Sequence, residues 1–145
     1  MTDYPSVERS LVAWAKSYTP ITDIVTTSRI STRLPEAPTF PYLTVKRVAG
    51  GPTEDNTPID LPLVQWDCYG QRATKNDAVA KLSPDYTNAE NLALVLMNAA
   101  EDITGIETEG HIYGMQVLSM RRLSEEDTAW AHYAVDMFVT IREIP

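Results

Sequence analysis

An unbroken alternation of side chains near the end of the chain limits what this sequence can fold into. In residues 130–142 every second side chain is apolar, and the series runs through Tyr133, Val135, Met137, Val139 and Ile141. A period of two is typical of a β-strand with one buried face. Residues 111–123 form a second strand-like segment, and the acidic sequence SEEDT lies between the two. The pattern predicts a long C-terminal hairpin.

The last predicted strand is longer than most strands of globular proteins. Its thirteen residues, 130–142, would extend about 40 Å at about 3.3 Å per residue, whereas strands usually stop after about five or six residues. We therefore expect the hairpin to extend past the core of a single domain.

Two further strands are predicted in the first half of the chain. In residues 42–48, Leu43 and Val45 alternate with a mixed set of side chains. This alternation is typical of a half-buried strand in an antiparallel sheet. Residues 63–70 repeat the pattern. Residues 29–34 lie close to prolines, which remove ladder donors, so they predict at most a short edge strand.

Two helices are predicted beside these strands. The first covers residues 5–18, because its apolar side chains recur at helical spacing and Pro20 stops it. The second begins at a capping box formed by Thr87 and Glu90. It ends near Gly105, where a glycine usually breaks a helix off.

These elements predict one α+β domain over residues 1–145. The expected order is α-β-β-α-β-β, with a mostly antiparallel sheet of about four strands and two main helices packed on one face. Residues 71–86 have weak periodicity and predict an irregular or briefly helical connection. The 43% apolar and 22% charged residues are typical of an ordinary globular domain.

The segment GGPTEDNTPIDLP, residues 50–62, interrupts the two strands of the first half. It holds three prolines, two glycines, three carboxylates and no basic residue. Because proline cannot donate to a ladder, we expect a projecting loop that does not pair. The loop is either an arm that orders against a neighbouring protein or a surface excursion. If it is an arm, its candidate contact residues are Thr53, Glu54, Asp55, Asn56 and Asp60.

Charge is divided unevenly along the chain, whose net charge is −8. Residues 1–49 carry six Lys and Arg against four acids, and residues 50–145 carry six against sixteen, so the two parts have charges of +2 and −10. The acidic part repels phosphate and disfavours sequence-independent nucleic-acid binding. Opposite charges suit association with other copies or other proteins. The alternative is a solvated acidic face.

Glu101 and Asp102 fall in the last turn of the second predicted helix, where they oppose the negative end of its dipole. No basic residue lies near them in sequence. We therefore predict that basic residues of a neighbouring subunit compensate them. The candidates for that subunit interface are Arg29, Arg33, Lys46 and Arg47.

No pattern of catalytic or ligand-binding residues is found. The glycine pair at 50–51 is followed by proline and acids, which would reject phosphate. His111 and His132 are the only histidines and have no metal-ligand spacing, so structural or exposed roles are expected. Cys68 is the only cysteine and is interpreted as a small apolar filler. No enzyme activity, cofactor or metal is predicted.

Neither a membrane span nor a secretory signal is predicted. No run approaches the 18 or more apolar residues that a span needs, and the start lacks the basic-then-apolar order of a signal. A cytoplasmic origin is expected.

Several segments, taken in order, resemble a known family. A helix, then RISTRLP, PYLTVKRVAGG, an acidic loop, PLVQWDCYG, a helix rich in Ala and Leu and a long closing hairpin cover nearly the whole chain. This arrangement is similar to the tail terminator, or tail completion, proteins of long-tailed bacteriophages that infect actinobacteria. The pair PYLTVKRVAGG and LVQWDCYG is the most specific part of the resemblance.

The resemblance implies a structural virion protein at the head–tail junction, assembled in the host cytoplasm. A ring of copies, with six as the implied number, would cap the tail tube, stop tube polymerisation and bind the neck or head-closure protein. DNA would pass through the channel without specific binding, and no reaction would be catalysed. No membrane is involved.

Three alternatives stay open from the sequence. A head-closure (stopper) protein or a minor tail protein would occupy the same junction. A monomeric or dimeric α+β module could bind a ligand in a closed pocket. An enzyme using paired acids is not excluded by composition, although no pair of acids is marked for that role.

Overall fold

The computed structural model describes residues 4–36, 38–52, 59–70, 86–102, 105–107, 110–123 and 131–142. Three α-helices, one 3-10 turn and six strands lie in these ranges. They are α1 (Val7–Ser17), α2 (Thr19–Thr22), the 3-10 turn Thr27–Arg29, β1 (Ile30–Ser31), β2 (Tyr42–Pro52), β3 (Ile59–Gly70), α3 (Tyr86–Asp102), β4 (Ile106–Glu107), β5 (His111–Leu123) and β6 (Ala131–Arg142).

The six strands form one sheet in the order β1-β2-β3-β6-β5-β4. The four long strands pair antiparallel, and β5 and β6 form the predicted C-terminal hairpin. The predicted count of about four strands needs correction, because β1 and β4 bring the sheet to six, and the mostly antiparallel pairing has one exception, since β1 is parallel to β2. Both extra strands have two residues, too few for a periodic signal in the sequence.

Helix α1 follows the predicted face. Ser6 caps it by accepting a hydrogen bond from the Arg9 amide at 3.2 Å. The helix ends at Ser17, and Pro20 lies in the first turn of the short helix α2, where its missing donor costs nothing. Both helices pack toward the sheet through buried apolar side chains, among them Leu11, Trp14 and Ile21.

Helix α3 begins at Tyr86, so Thr87 lies inside its first turn and not before it. The Glu90 carboxylate, predicted to close a capping box, accepts a hydrogen bond from the Tyr133 hydroxyl at 3.1 Å. This bond ties the start of α3 to β6. Helix α3 spans β3, β6 and β5, whereas α1 contacts β1 and β2.

One apolar core lies between the helices and the sheet. Its centre is Trp66, which is fully buried and meets Trp14 of α1 edge to face at 6.0 Å between ring centroids. The register places Val45, Trp66 and Val135 side by side on three strands, and all three have no exposed surface. We call this side of the sheet the helix face, and the opposite side the distal face.

The prediction that prolines keep residues 50–62 from pairing is wrong at both flanks. Strand β2 continues to Pro52 and pairs with β3, with Gly50 opposite Pro62 and Pro52 opposite Asp60. A bulge between Arg47 and Ala49 shifts the register. Gly50 has a φ of +86°, a conformation that favours glycine, and an added Cβ would lie 2.3 Å from the Leu61 carbonyl oxygen.

Proline interrupts a different ladder. The pairing between β3 and β6 is broken at Leu61 and Pro62, between Asp60 opposite Ile141 and Leu63 opposite Phe138. A missing amide donor explains this gap, since proline cannot donate toward a neighbouring strand. The prediction of a projecting loop now applies only to residues 53–58, which lie outside the described residues. Most residues of the predicted connection 71–86 also lie outside the described residues.

Candidate assembly surfaces

The distal face contains a buried polar cluster at one end. In the register, Asp67 on β3 lies opposite Ala134 and His132 on β6 lies opposite Tyr69, so Asp67 and His132 are diagonal neighbours on one face. The Asp67 Oδ1 to His132 Nε2 distance is 2.8 Å. Their exposed fractions are 4% and 7%. Gln65 donates to the same Asp67 oxygen at 2.7 Å, and the Tyr69 ring stacks on His132 at 4.3 Å. Because a buried carboxylate is costly without partners, these contacts stabilise it.

A second group of polar side chains continues this cluster toward β5. Asp136 on β6 accepts hydrogen bonds from Ser119 at 2.8 Å and from the Arg121 guanidinium at 3.1 Å. Arg121 also reaches the Gln65 side-chain oxygen at 3.5 Å. The polar contacts therefore run across β3, β6 and β5. Arg121 is almost half exposed, so its ion pair contributes less than a buried one.

The other end of the distal face is an apolar groove. Leu61 and Phe138 are each 38% exposed and line a cavity of about 450 Å³ with Gly114, Gln116 and Thr140. No atom lies within 4 Å of the place where a Cβ of Gly114 would be, so the groove stays open at this strand. Exposed apolar side chains around a groove are typical of a binding surface.

The predicted interface residues lie at two separated edges of the sheet. Lys46 and Arg47 are on β2, and Arg29 and Arg33 lie directly before and after β1. Glu101 lies at the end of α3 beside β5. Two strands, β3 and β6, lie between the basic and acidic sets. Because neighbouring strands are about 4.8 Å apart, the two sets are separated by more than ion-pair distance. The structure does not bring these charges together within one chain.

Arg47 has a partner within its own chain. Its guanidinium binds the Asp60 carboxylate through two nitrogens, at 2.6 and 2.9 Å, and donates to the Gly50 carbonyl at 3.2 Å. Asp60 is 2% exposed. The sequence predicts different surfaces for these residues, but the antiparallel pairing of β2 with β3 brings them together, and their ion pair joins the two strands.

The remaining candidates have local roles or lie outside the described part. Arg29 donates to the Phe40 carbonyl at 2.9 Å and holds the segment before β2. Arg33 is exposed, and its amide and carbonyl both contact the Ser31 hydroxyl. Thr53, Glu54, Asp55 and Asn56 lie outside the described residues, as does the side chain of Asp102.

The polar cluster and the apolar groove were missed from the sequence. A signal exists for the cluster, because Asp67 and His132 occupy positions inside two long strands where a buried charge would need a partner. No comparable signal marks the groove. Leu61 belongs to the predicted loop, and Phe138 alternates with the apolar series of residues 130–142, so it falls on the opposite face, where His132, Asp136 and Thr140 are polar.

Cys68 behaves as the predicted apolar filler. It is fully buried on the helix face, and burial raises the pKa of its thiol well above the usual range. The negative charge of Asp67 raises that pKa further. The thiolate, which is the reactive form, is therefore disfavoured in the folded protein.

Two searches among the described residues bear on chemistry and membranes. No group of three or more His, Cys, Asp or Glu side chains in this part of the chain could hold a metal ion. Within the same part, no helix has the length and apolar character that crossing a bilayer would need.

Comparison with known proteins gives one informative result. No protein-family model and no curated protein matches the sequence. A chain from a solved structure described as the virion of a native gene transfer agent (GTA) particle has a TM-score of 0.63 with this protein. The match covers 94% of this chain and 95% of that chain at 11% sequence identity. At this identity the likeness shows a shared fold.

Proposed function

We propose that this protein is a structural component of a phage-like virion. Copies of it form a closed ring that caps the tail tube, stops tube polymerisation and joins the tail to the neck. The observation that carries the proposal is the fold shared with a virion chain over nearly the whole length of both. The segments that resemble tail terminator proteins support the more specific role.

The arrangement of charges supports a ring. Basic residues lie around β1 and β2, and Glu101 lies beside β5, so opposite charges occupy opposite edges of one subunit. A head-to-tail contact between such edges repeats from copy to copy, and it forms a ring when the rotation at each contact closes the circle. The acidic balance of the chain would let DNA pass through the channel without specific binding, because like charges repel.

The sheet edges offer a second means of contact. Strand β4 pairs with β5 only at His111 and Ile112, so among the described strands β5 forms the sheet edge from Gly114 to Met120. An edge of this length can pair with a strand of another chain. The tail tube protein and the neck or head-closure protein are the further partners that this role requires.

Deletion of the gene from a host that produces the particles tests the role. We expect overlong tails and heads without tails, and we expect the wild-type chain supplied in trans to restore joined particles of normal length. Tails of normal length beside heads that lose DNA would contradict the tail-capping role and favour a head-closure protein. Normal particles would overturn a role in the virion junction altogether.

A shortened β2–β3 connection tests the predicted arm. Residues 53–58 are replaced by a two-glycine turn, which keeps Arg47 and Asp60 in place. We expect a folded protein, by circular dichroism, that fails to cap tails in the same complementation assay. Joined particles of normal length would show that the segment is a surface excursion.

A further inference from the structure

Helix α1 and strand β1 enclose a groove at one edge of the domain. Arg9, Val12, Ala13 and Lys16 line it from α1, and their spacing of three, four and seven residues places them on one side of the helix. The cavity has a volume of about 380 Å³. Two basic side chains about two helical turns apart thus flank a floor of Val12 and the small residue Ala13.

A second groove lies at the opposite edge, between α3 and β5. Met97, Asn98 and Glu101 line it from the helix, and its volume is about 310 Å³. Leu94, three residues before Met97, is 41% exposed. These four α3 residues repeat the spacing of the α1 set, and we call them the α3 stripe.

The α3 stripe ends where the helix needs positive charge. The last turn of α3 has no basic residue and contains Glu101, so its carboxylate adds to the negative end of the helix dipole. Within one chain α1 lies over β1 and β2, near one edge of the sheet, whereas β5 lies near the opposite edge. A second copy can bring the basic groove to this helix end.

We propose that the groove between α1 and β1 receives the α3 stripe of a second copy, with Lys16 beside Glu101 at the end of that helix. Leu94 and Met97 of the second copy cover Val12, and the small side chain of Ala13 lets the two helices approach closely. The inference rests on the proposed ring and names the helix pair that forms each of its contacts.

This contact is heterologous, since the α1 groove of each copy differs from the α3 stripe that fills it. Each subunit uses both surfaces, one on each side. Exposed ion pairs contribute about 0.2 to 1 kcal/mol, and reversing one charge replaces this attraction by a repulsion of similar size, so each contact should weaken about two- to thirtyfold. The weakening multiplies around a closed ring.

Charge reversal and mixing test the contact. Lys16→Glu and Glu101→Lys are each made in the full chain, and sedimentation velocity measures the mass of each variant alone and of an equal mixture. We expect smaller species from each variant alone. In the Lys16→Glu variant positions 16 and 101 are both negative, and in the Glu101→Lys variant both are positive. When the two variants alternate around a ring, each position 16 therefore meets a position 101 of opposite charge, and we expect the wild-type mass to return. Asp23→Lys, an exposed reversal at the end of α2, is the matched control and should leave the mass unchanged.

Cross-linking gives a second measurement that does not depend on charge. Ala13→Cys and Asn98→Cys in one chain, treated with a short bismaleimide, should give a ladder of covalent oligomers. Either substitution alone should give none, because the buried Cys68 does not react.

The outcomes separate the contact from the ring. Rings of wild-type mass from each reversed variant alone, with no ladder from the double-cysteine chain, would overturn this contact and leave the proposed ring standing. A wild-type protein that stays monomeric at every concentration would overturn the ring, and the contact with it.

Discussion

The two faces of the sheet bury their side chains by different means. On the helix face, apolar side chains from five strands meet three helices, and Trp66 lies at the centre without exposed surface. On the distal face, burial is limited to one end and depends on hydrogen bonds around Asp67 and His132. At the other end Leu61 and Phe138 stay exposed. The helix face therefore supplies most of the apolar burial of the subunit, whereas the groove leaves apolar surface in contact with water.

The difference has a physical basis. Apolar burial stabilises in proportion to the area removed from water, at about 25 cal/mol per Å², and needs no particular partner. A buried ion pair stabilises only if each polar atom is satisfied. The helix face therefore tolerates changes that keep volume, whereas the distal cluster should tolerate few. The exposed groove contributes little to the folded subunit, so it is available to a partner.

The largest effect should come from the helix face. Trp66→Ala removes the side chain that packs on Trp14 and donates to the Met137 sulfur at 3.3 Å, and we expect a loss of about 3 to 5 kcal/mol in the free energy of unfolding. Urea denaturation followed by circular dichroism measures it. Trp66→Phe, which keeps most of the volume, should lose less. Equal losses for both variants would contradict a contribution from packing.

The polar cluster should give the next largest effect. Asp67→Ala leaves the His132 ring and the Gln65 amide without their shared acceptor in a buried site, and we expect a loss of about 2 to 3 kcal/mol. Asp136→Ala is the control, since its partner Arg121 is half exposed and the expected loss is about 1 kcal/mol or less. If the two losses are equal by urea denaturation, burial does not distinguish the ends of the cluster.

The Arg47–Asp60 pair should have a smaller effect, because Arg47 is one third exposed. Arg47→Ala should lower the free energy of unfolding by about 1 to 2 kcal/mol. It should also speed hydrogen exchange at the amides of Gly51 and Leu61 in the hairpin. The exchanged pair Arg47→Asp with Asp60→Arg should restore part of the loss. Unchanged exchange in Arg47→Ala would show that the pair does not hold the hairpin.

The smallest effect on stability is expected in the groove. Phe138→Tyr should change the free energy of unfolding by about 0.5 kcal/mol or less, since it keeps the ring and adds a hydroxyl to a side chain that is 38% exposed. The same variant should reduce incorporation into particles in the complementation assay. A large loss of stability would remove the distinction between the two faces, and normal incorporation would exclude the groove as a partner surface.

Strong local patterns in the sequence were sufficient to predict most of the architecture. The alternation in residues 130–142 and the helical spacing of residues 5–18 predicted β6 and α1, because one buried face imposes its period on the sequence. The short edge strand expected within residues 29–34 is present as β1, whereas the two-residue strand β4 could not be found from its sequence, since it has no period. The pairing of residues 50–52 with residues 60–62 was not predicted. Proline prevents pairing only with the strand that its nitrogen faces, and the sequence does not show which strand that is.

The candidate surfaces were predicted less well than the fold. The basic and acidic edges follow from charges that the sequence orders along the chain. The contact between Arg47 and Asp60 was not predicted, because it depends on the pairing of β2 with β3 up to residues that the sequence predicts as an unpaired loop.

The sequence by itself determined the α+β class, the long C-terminal hairpin and the division of charge, since these depend on local periods and composition. Only the tertiary structure decided which side chains meet, as in the Asp67–His132 cluster and in the two grooves at opposite edges. The reason is that strand order and register bring together residues far apart in the chain. A shift of one residue would have moved each of these side chains to the other face.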